Sequence, residues 1–180
     1  MRLPTGRSDS LPRVSGYASA MMGATHTLVS VSTTAVVCSL THQPPETSAL
    51  LIGGAAMTAR LPDIDQRIPF LEHRGPVTHS PWAAGLFTLC AIIALAFTPL
   101  GPALAVPLGL GLGAGVLTHQ LADALTLSGV PLLWPLRTDD LHLLPSGLRI
   151  RTDGSMETIF GAMLALAVAY YFWSTYAPGH

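Results

Sequence analysis

Hydrophobic residues fall into five long runs that are separated by shorter polar stretches. The runs cover residues 24–40, 48–61, 81–97, 102–127 and 157–176. They are longer than typical strands, and a helix that crosses a bilayer core needs about 20 apolar residues. The pattern predicts an all-α fold, a polytopic membrane helix bundle with about five transmembrane helices.

The five runs differ in how well they fit a full membrane span. The first is rich in Ser and Thr, and the second is short unless Pro44-Pro45 begins the helix earlier, so these two are also compatible with a re-entrant hairpin. The third run, 81–97, is expected to be long enough. Close helix packing is predicted in the fourth run by alternating small residues, Gly109, Gly111, Gly113 and Gly115. Aromatic residues near the end of the fifth run suit a membrane interface.

Basic residues alternate from one side of the predicted spans to the other. All nine are Arg: three lie in residues 1–20, three around the loop 61–80 and three in the loop 128–156, while the other connections and the C-terminus carry none. Because positively charged loops stay in the cytoplasm, this pattern predicts a multi-pass membrane protein with a cytoplasmic N-terminus. Residues 1–20 are predicted to be a disordered tail and residues 21–180 a membrane-embedded helical domain.

The composition agrees with a membrane setting. Hydrophobic residues make up 49% of the chain and charged residues 11%, with a mean hydropathy of +0.48, whereas soluble domains carry about 25% charged residues. A net charge of -1 gives no reason to expect a nucleic-acid partner. Cys38 and Cys90 lie inside apolar runs and are predicted to be buried free thiols rather than a disulfide or a zinc pair.

Polar chemistry concentrates in residues 61–80, between two apolar runs. This stretch places four candidate ligands within 17 residues: Asp63, Asp65, His73 and His79. The predicted topology brings further candidates to the same cytoplasmic face: His26, His119, Asp123 and Glu157. Five other polar residues are not expected at the site. His42 falls on the opposite face of the membrane, His180 is terminal, and the remaining three suit a solvated loop: Asp139, Asp140 and His142.

Residue types and spacing favour a divalent metal site at this face. His119 and Asp123 are four residues apart on a predicted helix, so they share one face, and ionisable groups in an apolar helix are costly unless paired. Imidazole with carboxylate suits Zn²⁺ first, with Mn²⁺ or Mg²⁺ as alternatives. Structural roles compete: a buried His–Asp hydrogen bond, a helix stop with solvated acids at Asp63 and Asp65, and helix-dipole capping by Glu157.

The order of these motifs resembles the inner-membrane-associated metal-dependent hydrolases of the YdjM type, also called LexA-binding. The matching motifs follow His26 and are LPDID at 61–65, HRGPVTHS at 73–80, HQLAD at 119–123 and LLWP at 132–135. The resemblance covers about residues 21–160 and implies a membrane-bound metal hydrolase. HRGPVTHS is one residue longer than the family's HRG-x-THS form, so the family's ligand role is transferred to His73 less directly.

The ligand order is also similar, in pattern alone, to the zinc-dependent phospholipase C and P1-type nuclease group. That similarity implies metal-binding roles for His26, Asp63, His79, His119 and Asp123.

These observations lead to one hypothesis and one rival. In the hypothesis, one to three divalent ions activate a water, Asp65 or Glu157 accepts a proton, and Arg74 holds an anionic oxygen of the substrate. The expected substrate is a phosphoester or another amphiphile at the cytoplasmic headgroup level, among the membrane lipids. The rival is a non-enzymatic membrane protein whose His/Asp cluster serves helix packing, ion passage or partner binding. The sequence does not define an oligomeric state.

Overall fold

The computed structural model describes residues 15–151 and 155–176, and the chain in these ranges is helical. Its α-helices are α1 (Ser15–Leu40), α2 (Pro45–Thr58), α3 (Pro76–His79), α4 (Pro81–Ala96), α5 (Gly101–Asp123) and α6 (Ser155–Tyr176). Two 3₁₀ turns, Pro62–Arg67 and Ser146–Leu148, complete the regular structure. Within the described ranges, extended pairing is limited to isolated bridges. The predicted all-α fold is confirmed.

Each predicted apolar run corresponds to one long helix, but several boundaries differ. α2 begins at Pro45, three residues before the predicted run, because proline suits the first position of a helix. It ends at Thr58, where Pro62 starts the 3₁₀ turn. α5 ends at Asp123, since the next residues already bond to the following loop. α1 begins at Ser15, inside the predicted tail, and the first fourteen residues of that tail lie outside the described residues.

Among the described residues, three helices have the length and composition to cross a membrane. The qualifying stretches are Gly23–Leu40 in α1, Gly101–Asp123 in α5 and Glu157–Ser174 in α6. The expectation that the run 81–97 is long enough for a full span is wrong, because α4 has 16 residues. At 1.5 Å per residue it reaches about 24 Å, less than a hydrocarbon core of about 30 Å. Five complete crossings therefore stay a prediction.

Helix α5 is the centre of the bundle. It packs against α1, α2 and α4, while α6 packs against α1. The predicted glycine stripe has two faces: Gly109 and Gly113 lie against α4, whereas Gly111 and Gly115 lie against α2. Polar side chains stabilise the contacts that α5 makes with α2 and with α1. The Thr58 hydroxyl of α2 donates to the Leu112 carbonyl of α5 at 2.6 Å. The hydroxyls of Ser30 in α1 and Thr118 in α5 are 2.6 Å apart.

Short connections make neighbouring helices antiparallel and gather their ends. Turns of a few residues join α1 to α2 and α4 to α5. The start of α1, the end of α2, the start of α4, the end of α5 and the start of α6 therefore meet at one end of the bundle. The Ser80 side chain caps α4 by accepting from the Ala83 amide at 3.3 Å, which fixes the chain direction directly after α3.

The outer faces of the long helices are apolar, as expected for contact with lipid. Leu86, Ile93 and Leu166 are among the large hydrophobic side chains that are at least about half exposed. Both cysteines are free, as predicted, but only Cys38 is buried. The prediction of a buried Cys90 is wrong, because this residue lies on the outward face of α4, where an apolar thiol costs little beside lipid.

The close approach of α2 and α5 depends on Gly111. A Cβ at this position would lie 2.5 Å from the Leu51 carbonyl oxygen, whereas a Cβ at Gly85 on α4 would meet open space. We expect Gly111→Ala to lower the thermal midpoint of the detergent-purified protein, because overpacking typically costs about 1–3 kcal/mol. Gly85→Ala is the control, since both changes add the same helix propensity of about 1 kcal/mol. Equal midpoints for the two variants would contradict this packing.

Candidate metal centre

Four segments deliver imidazole and carboxylate groups to the common end of the bundle. α1 provides His26, the 3₁₀ turn provides Asp63, α3 provides His79, and α5 provides His119 and Asp123. His79, His119 and Asp123 are fully buried, and His26 is 5% exposed. The structure therefore brings together five of the eight candidate ligands from segments far apart in the chain.

The tightest group consists of His79, His119 and Asp123. Asp123 Oδ2 lies 3.3 Å from His79 Nε2 and 3.4 Å from His119 Nε2. None of these three buried atoms makes a hydrogen bond with the described residues, although buried polar atoms are nearly always hydrogen-bonded. Tetrahedral ligands on zinc bonds of about 2.0–2.1 Å would lie about 3.3–3.4 Å apart. The residues thus fit a metal ion by spacing and by unsatisfied lone pairs.

A second group shares one member with the first. His26, Asp63 and His119 also offer ligand atoms that lie within 4.8 Å of one another. His119 Nε2 is 3.7 Å from Asp63 Oδ1, and the His26 ring stacks on the His119 ring with centroids 3.9 Å apart. His26 Nε2 also lies 3.5 Å from the other Asp123 oxygen, Oδ1. The two groups form one continuous site around Asp123 and His119.

Hydrogen bonds on the far side of two rings fix which nitrogen faces the site. His119 Nδ1 is 2.7 Å from the Ala59 carbonyl oxygen, which can only accept, so the ring proton belongs on Nδ1. The Thr78 hydroxyl donates to Asp65 Oδ2 and lies 2.9 Å from His79 Nδ1, so it accepts the His79 ring proton. Both Nε2 atoms then present a lone pair to the centre, as metal-binding histidines do.

Asp65 lies behind His79 rather than among the converging ligand atoms. Its carboxylate is 2% exposed and accepts from the Arg74 amide at 2.8 Å and from the Thr78 hydroxyl at 3.1 Å. His73 Nδ1 is 3.2 Å from the other Asp65 oxygen, and the His73 side chain is 52% exposed. Asp65 and His73 therefore stand outside both ligand groups.

Arg74 is paired with Asp123. Its Nη2 donates to Asp123 Oδ1 at 3.1 Å and its Nη1 to the Thr126 hydroxyl at 3.3 Å. The Arg74 backbone has a φ of +59°, a strained region for a non-glycine residue, and the bond from its amide to Asp65 holds it there. This arrangement positions Asp123 and offsets its charge, whereas the predicted role was to hold a substrate oxygen.

Glu157 lies beside the site, across a small cavity from His26. The carboxylate is 4% exposed and accepts from the Thr25 hydroxyl at 3.0 Å. Thr25, His26, Glu157 and Phe160 are among the residues that line a cavity of about 30 Å³, which is enough room for one water molecule. Glu157 is thus close enough to influence a water near His26 without joining either ligand group.

Two supporting groups were not predicted from the sequence. The buried amide of Gln120 donates to the Thr78 and Ser80 carbonyls at 3.2 and 3.0 Å, which ties the segment around α3 to α5. A glutamine between His119 and Asp123 in an apolar helix is a detectable signal, because polar groups there need partners. The Ala59 carbonyl carries no such signal, since its role follows only from the helix packing. Asp139, which was expected to stay outside the site, pairs with Arg137 on the surface, whereas His180 lies outside the described residues.

Comparison with known proteins places these features in a family context. The family model described as YdjM inner membrane protein matches residues 21–180. The chain is 34% identical over 98 residues to the inner membrane protein YdjM of Escherichia coli (strain K12), which covers 48% of this chain and 50% of that protein. The protein of the same name from Shigella flexneri gives the same values. The chain thus spans about half the length of the curated relatives it matches, and no solved structure matches it.

The position of Asp65 predicts how its replacement affects metal binding. We expect Asp65→Asn to weaken zinc affinity about 10–100-fold, because the carboxylate orients His79 and Thr78 without being a ligand itself. Chelator competition would measure the affinity, with Asp139→Asn as a control of the same chemistry on the surface. Parental affinity in Asp65→Asn would contradict the supporting role. Complete loss of zinc at saturation, in a folded variant, would make Asp65 a ligand.

Proposed function

The chain belongs to the YdjM inner membrane protein family, and from that premise we propose that it is a membrane-embedded, metal-dependent hydrolase. The observation that carries the proposal is the convergence of His79 Nε2, His119 Nε2 and Asp123 Oδ2, which are buried and make no hydrogen bonds among the described residues. With the ring proton of each histidine on Nδ1, three acceptor atoms face one another, and a cation would satisfy them. Zn²⁺ is the expected ion because imidazole dominates the donor set, with Mn²⁺ or Mg²⁺ as alternatives.

Each residue of the site has a defined task in this proposal. His79, His119 and Asp123 would hold the ion, and His26 and Asp63 would complete the coordination or hold a second ion. A bound divalent ion supplies Lewis-acid polarisation and lowers the pKa of a coordinated water toward neutrality. Arg74 keeps Asp123 in position and offsets its charge, and Asp65 keeps the His79 ring oriented.

Glu157 is the favoured proton acceptor of the two predicted carboxylates. Asp65 lies behind His79, on the side away from the converging ligand atoms. Glu157 instead borders the water-sized cavity next to His26. A carboxylate in hydrogen-bond reach of a water can orient it and take its proton.

The location of the site at the end of the bundle favours an amphiphilic substrate. The ligands lie where the apolar helices end, so a scissile bond at headgroup level would reach them while an apolar chain stays among the lipids. A phosphoester is the favoured reacting group, since a cationic centre stabilises the charge that develops on phosphate oxygens. No nucleic-acid substrate is proposed.

A hydrolysis assay tests the proposal directly. We expect zinc-loaded parent protein in detergent to cleave a p-nitrophenyl phosphate monoester or diester, and His79→Ala to lose this activity while still inserting into membranes. Glu157→Gln should lower kcat about 100-fold or more, because general-base assistance contributes at least that much. Glu46→Gln, the same change in the first turn of α2, is the matched control.

Two results of this assay would contradict the proposal. Parental turnover in His79→Ala would place the chemistry elsewhere, and equal turnover in Glu157→Gln and Glu46→Gln would remove Glu157 from the proton transfer. A metal-loaded parent with no activity toward any ester class would favour the non-enzymatic alternative. A specific observation supports that alternative as a structural role: the His119–Ala59 bond already ties α5 to α2.

We also propose that the site faces the cytoplasm, in line with the arginine distribution. The test uses single cysteines in a Cys38→Ala/Cys90→Ala background. Asp139→Cys, in the loop after α5, should react with an impermeant maleimide only in inside-out vesicles. Thr98→Cys, in the turn between α4 and α5, should react only in right-side-out vesicles. The reversed pattern would place the site on the outer side.

A further inference from the structure

A groove with a volume of about 340 Å³ opens beside the candidate metal centre at the end of α2. We call it the arginine groove, and the residues that line it are Met57, Arg60, Leu61, Asp63, Ile64 and Arg67. It is therefore lined by two arginines, one aspartate and three apolar residues. No metal-binding or catalytic role described so far uses Arg60 or Arg67.

Neither arginine of the groove forms an ion pair with an acidic side chain among the described residues. In the part of the chain that the structure describes, Arg74 pairs with Asp123 and Arg137 pairs with Asp139, but neither Arg60 nor Arg67 has an ion-pair partner. A planar guanidinium presents several donors that match the oxygens of a phosphate. Two such groups on one groove form a site for an anion that carries more than one acceptor oxygen.

The Arg60 side chain packs on the surface of α1. A Cβ added at Gly23 would collide with the Arg60 guanidinium, so this side chain lies directly over the Gly23 backbone. Gly23 is three residues before His26, which places both on the same face of α1 about one turn apart. The guanidinium of Arg60 is thus about one helical turn from a predicted metal ligand.

Asp63 connects the groove to the centre. Its Oδ1 is 3.7 Å from His119 Nε2, and its side chain is 21% exposed, whereas the side chains of His79, His119 and Asp123 are fully buried. Among the predicted ligands that converge, Asp63 is the member that also lines the groove. A molecule in the arginine groove would therefore meet the centre at Asp63.

Apolar side chains in the groove point to an amphiphile rather than to a small soluble anion. Met57 is 77% exposed, Ile64 44% and Leu61 36%, and they stand next to the guanidinium groups at the end of an apolar helix. Exposed apolar surface of this kind is costly in water but is covered when lipid or an acyl chain lies against it. The charge and the apolar surface together match an anionic headgroup with its chain.

We propose that the arginine groove binds the phosphate of an anionic membrane amphiphile, with Arg60 and Arg67 on the phosphate oxygens and Met57, Leu61 and Ile64 against the chain. The groove then sets substrate specificity by presenting a phosphate-bearing lipid to the centre at Asp63. Its role as a substrate site rests on the proposed hydrolase function, whereas its binding of the amphiphile does not.

Equilibrium binding to the full-length protein in detergent tests this proposal. The probes are dihexanoyl phosphatidic acid, dihexanoyl phosphatidylcholine and glycerol 3-phosphate, each measured by native mass spectrometry or calorimetry. We expect phosphatidic acid to bind most tightly and Arg60→Gln/Arg67→Gln to weaken its binding about tenfold or more. Arg137→Gln, which removes one exposed surface charge outside the groove, should leave the affinity within about twofold.

Replacing both groove arginines by lysine separates the effect of positive charge from the effect of guanidinium geometry. It also keeps the loop charge on which the membrane topology depends. Arg60→Lys/Arg67→Lys keeps the positive charge of the loop but loses the planar donor fork. We expect this variant to insert like the parent and to bind phosphatidic acid more weakly than the parent but more tightly than the glutamine variant. Equal binding by the glutamine variant and the parent would overturn the proposal. Glycerol 3-phosphate binding as tight as that of phosphatidic acid would overturn its lipid part.

Binding measured on chelator-treated parent protein shows whether the groove proposal and the hydrolase proposal succeed or fail separately. If metal removal abolishes hydrolysis but phosphatidic acid still binds and still depends on Arg60 and Arg67, both proposals are supported. If the metal-loaded protein hydrolyses no ester yet shows the same arginine-dependent binding, the hydrolase proposal fails and the groove stands as a lipid-binding site. If hydrolysis occurs without any effect of the two arginines on binding or KM, the groove proposal fails alone.

Discussion

A buried carboxylate at the end of a membrane helix must be compensated, because a charge removed from water is costly unless it is paired and hydrogen-bonded. Asp123, the last residue of α5, has no exposed surface and sits among three imidazoles and one guanidinium. The partners come from α1, α3, α5 itself and the loop before α3. Arg74 offsets the charge at Asp123 Oδ1, whereas Oδ2 faces two imidazole nitrogens that present lone pairs. A bound cation would complete the compensation and so join the segments that build the site.

The packing of the bundle and the geometry of the site depend on each other. Gly111 and Gly115 let α5 approach the backbone of α2, and this approach places the Ala59 carbonyl 2.7 Å from His119 Nδ1. The carbonyl then turns the Nε2 lone pair of His119 toward Asp123. Small residues in the middle of a helix thus determine which nitrogen of a histidine faces the centre, through one hydrogen bond at the end of a neighbouring helix.

Helix number and the location of the site could be predicted from the sequence because they depend on pattern. Long apolar runs predict helices, and alternating connections bring His26, Asp63, His79, His119 and Asp123 to one end, where the structure has them. The ends of α2 and α5 were less predictable, since a 3₁₀ turn at Pro62 and loop bonds after Asp123 compete with the helix. The outward position of Cys90 could not be predicted from a run that is apolar on every face.

The separate roles of the polar residues could be assigned only from the structure. Asp63 and Asp65 are two residues apart with the same chemistry, yet Asp63 faces His119 while Asp65 supports His79 from behind. Arg74 resembles a free anion-binding residue in the sequence but pairs with Asp123 because a left-handed backbone turn directs it inward. These differences depend on the backbone path through residues 61–80, which is irregular and has no periodicity to predict it from.

The measurement that tests the central claim most directly is the metal content of the purified protein. Elemental analysis would be made on detergent-purified parent protein after metal re-supply, beside His119→Ala, which removes the residue common to both ligand groups, and His142→Ala as a surface control. The account predicts about one or more equivalents of zinc or manganese in the parent and the control, and loss of the metal in His119→Ala. A folded parent without bound metal, or a folded His119→Ala that retains the full content, would contradict it.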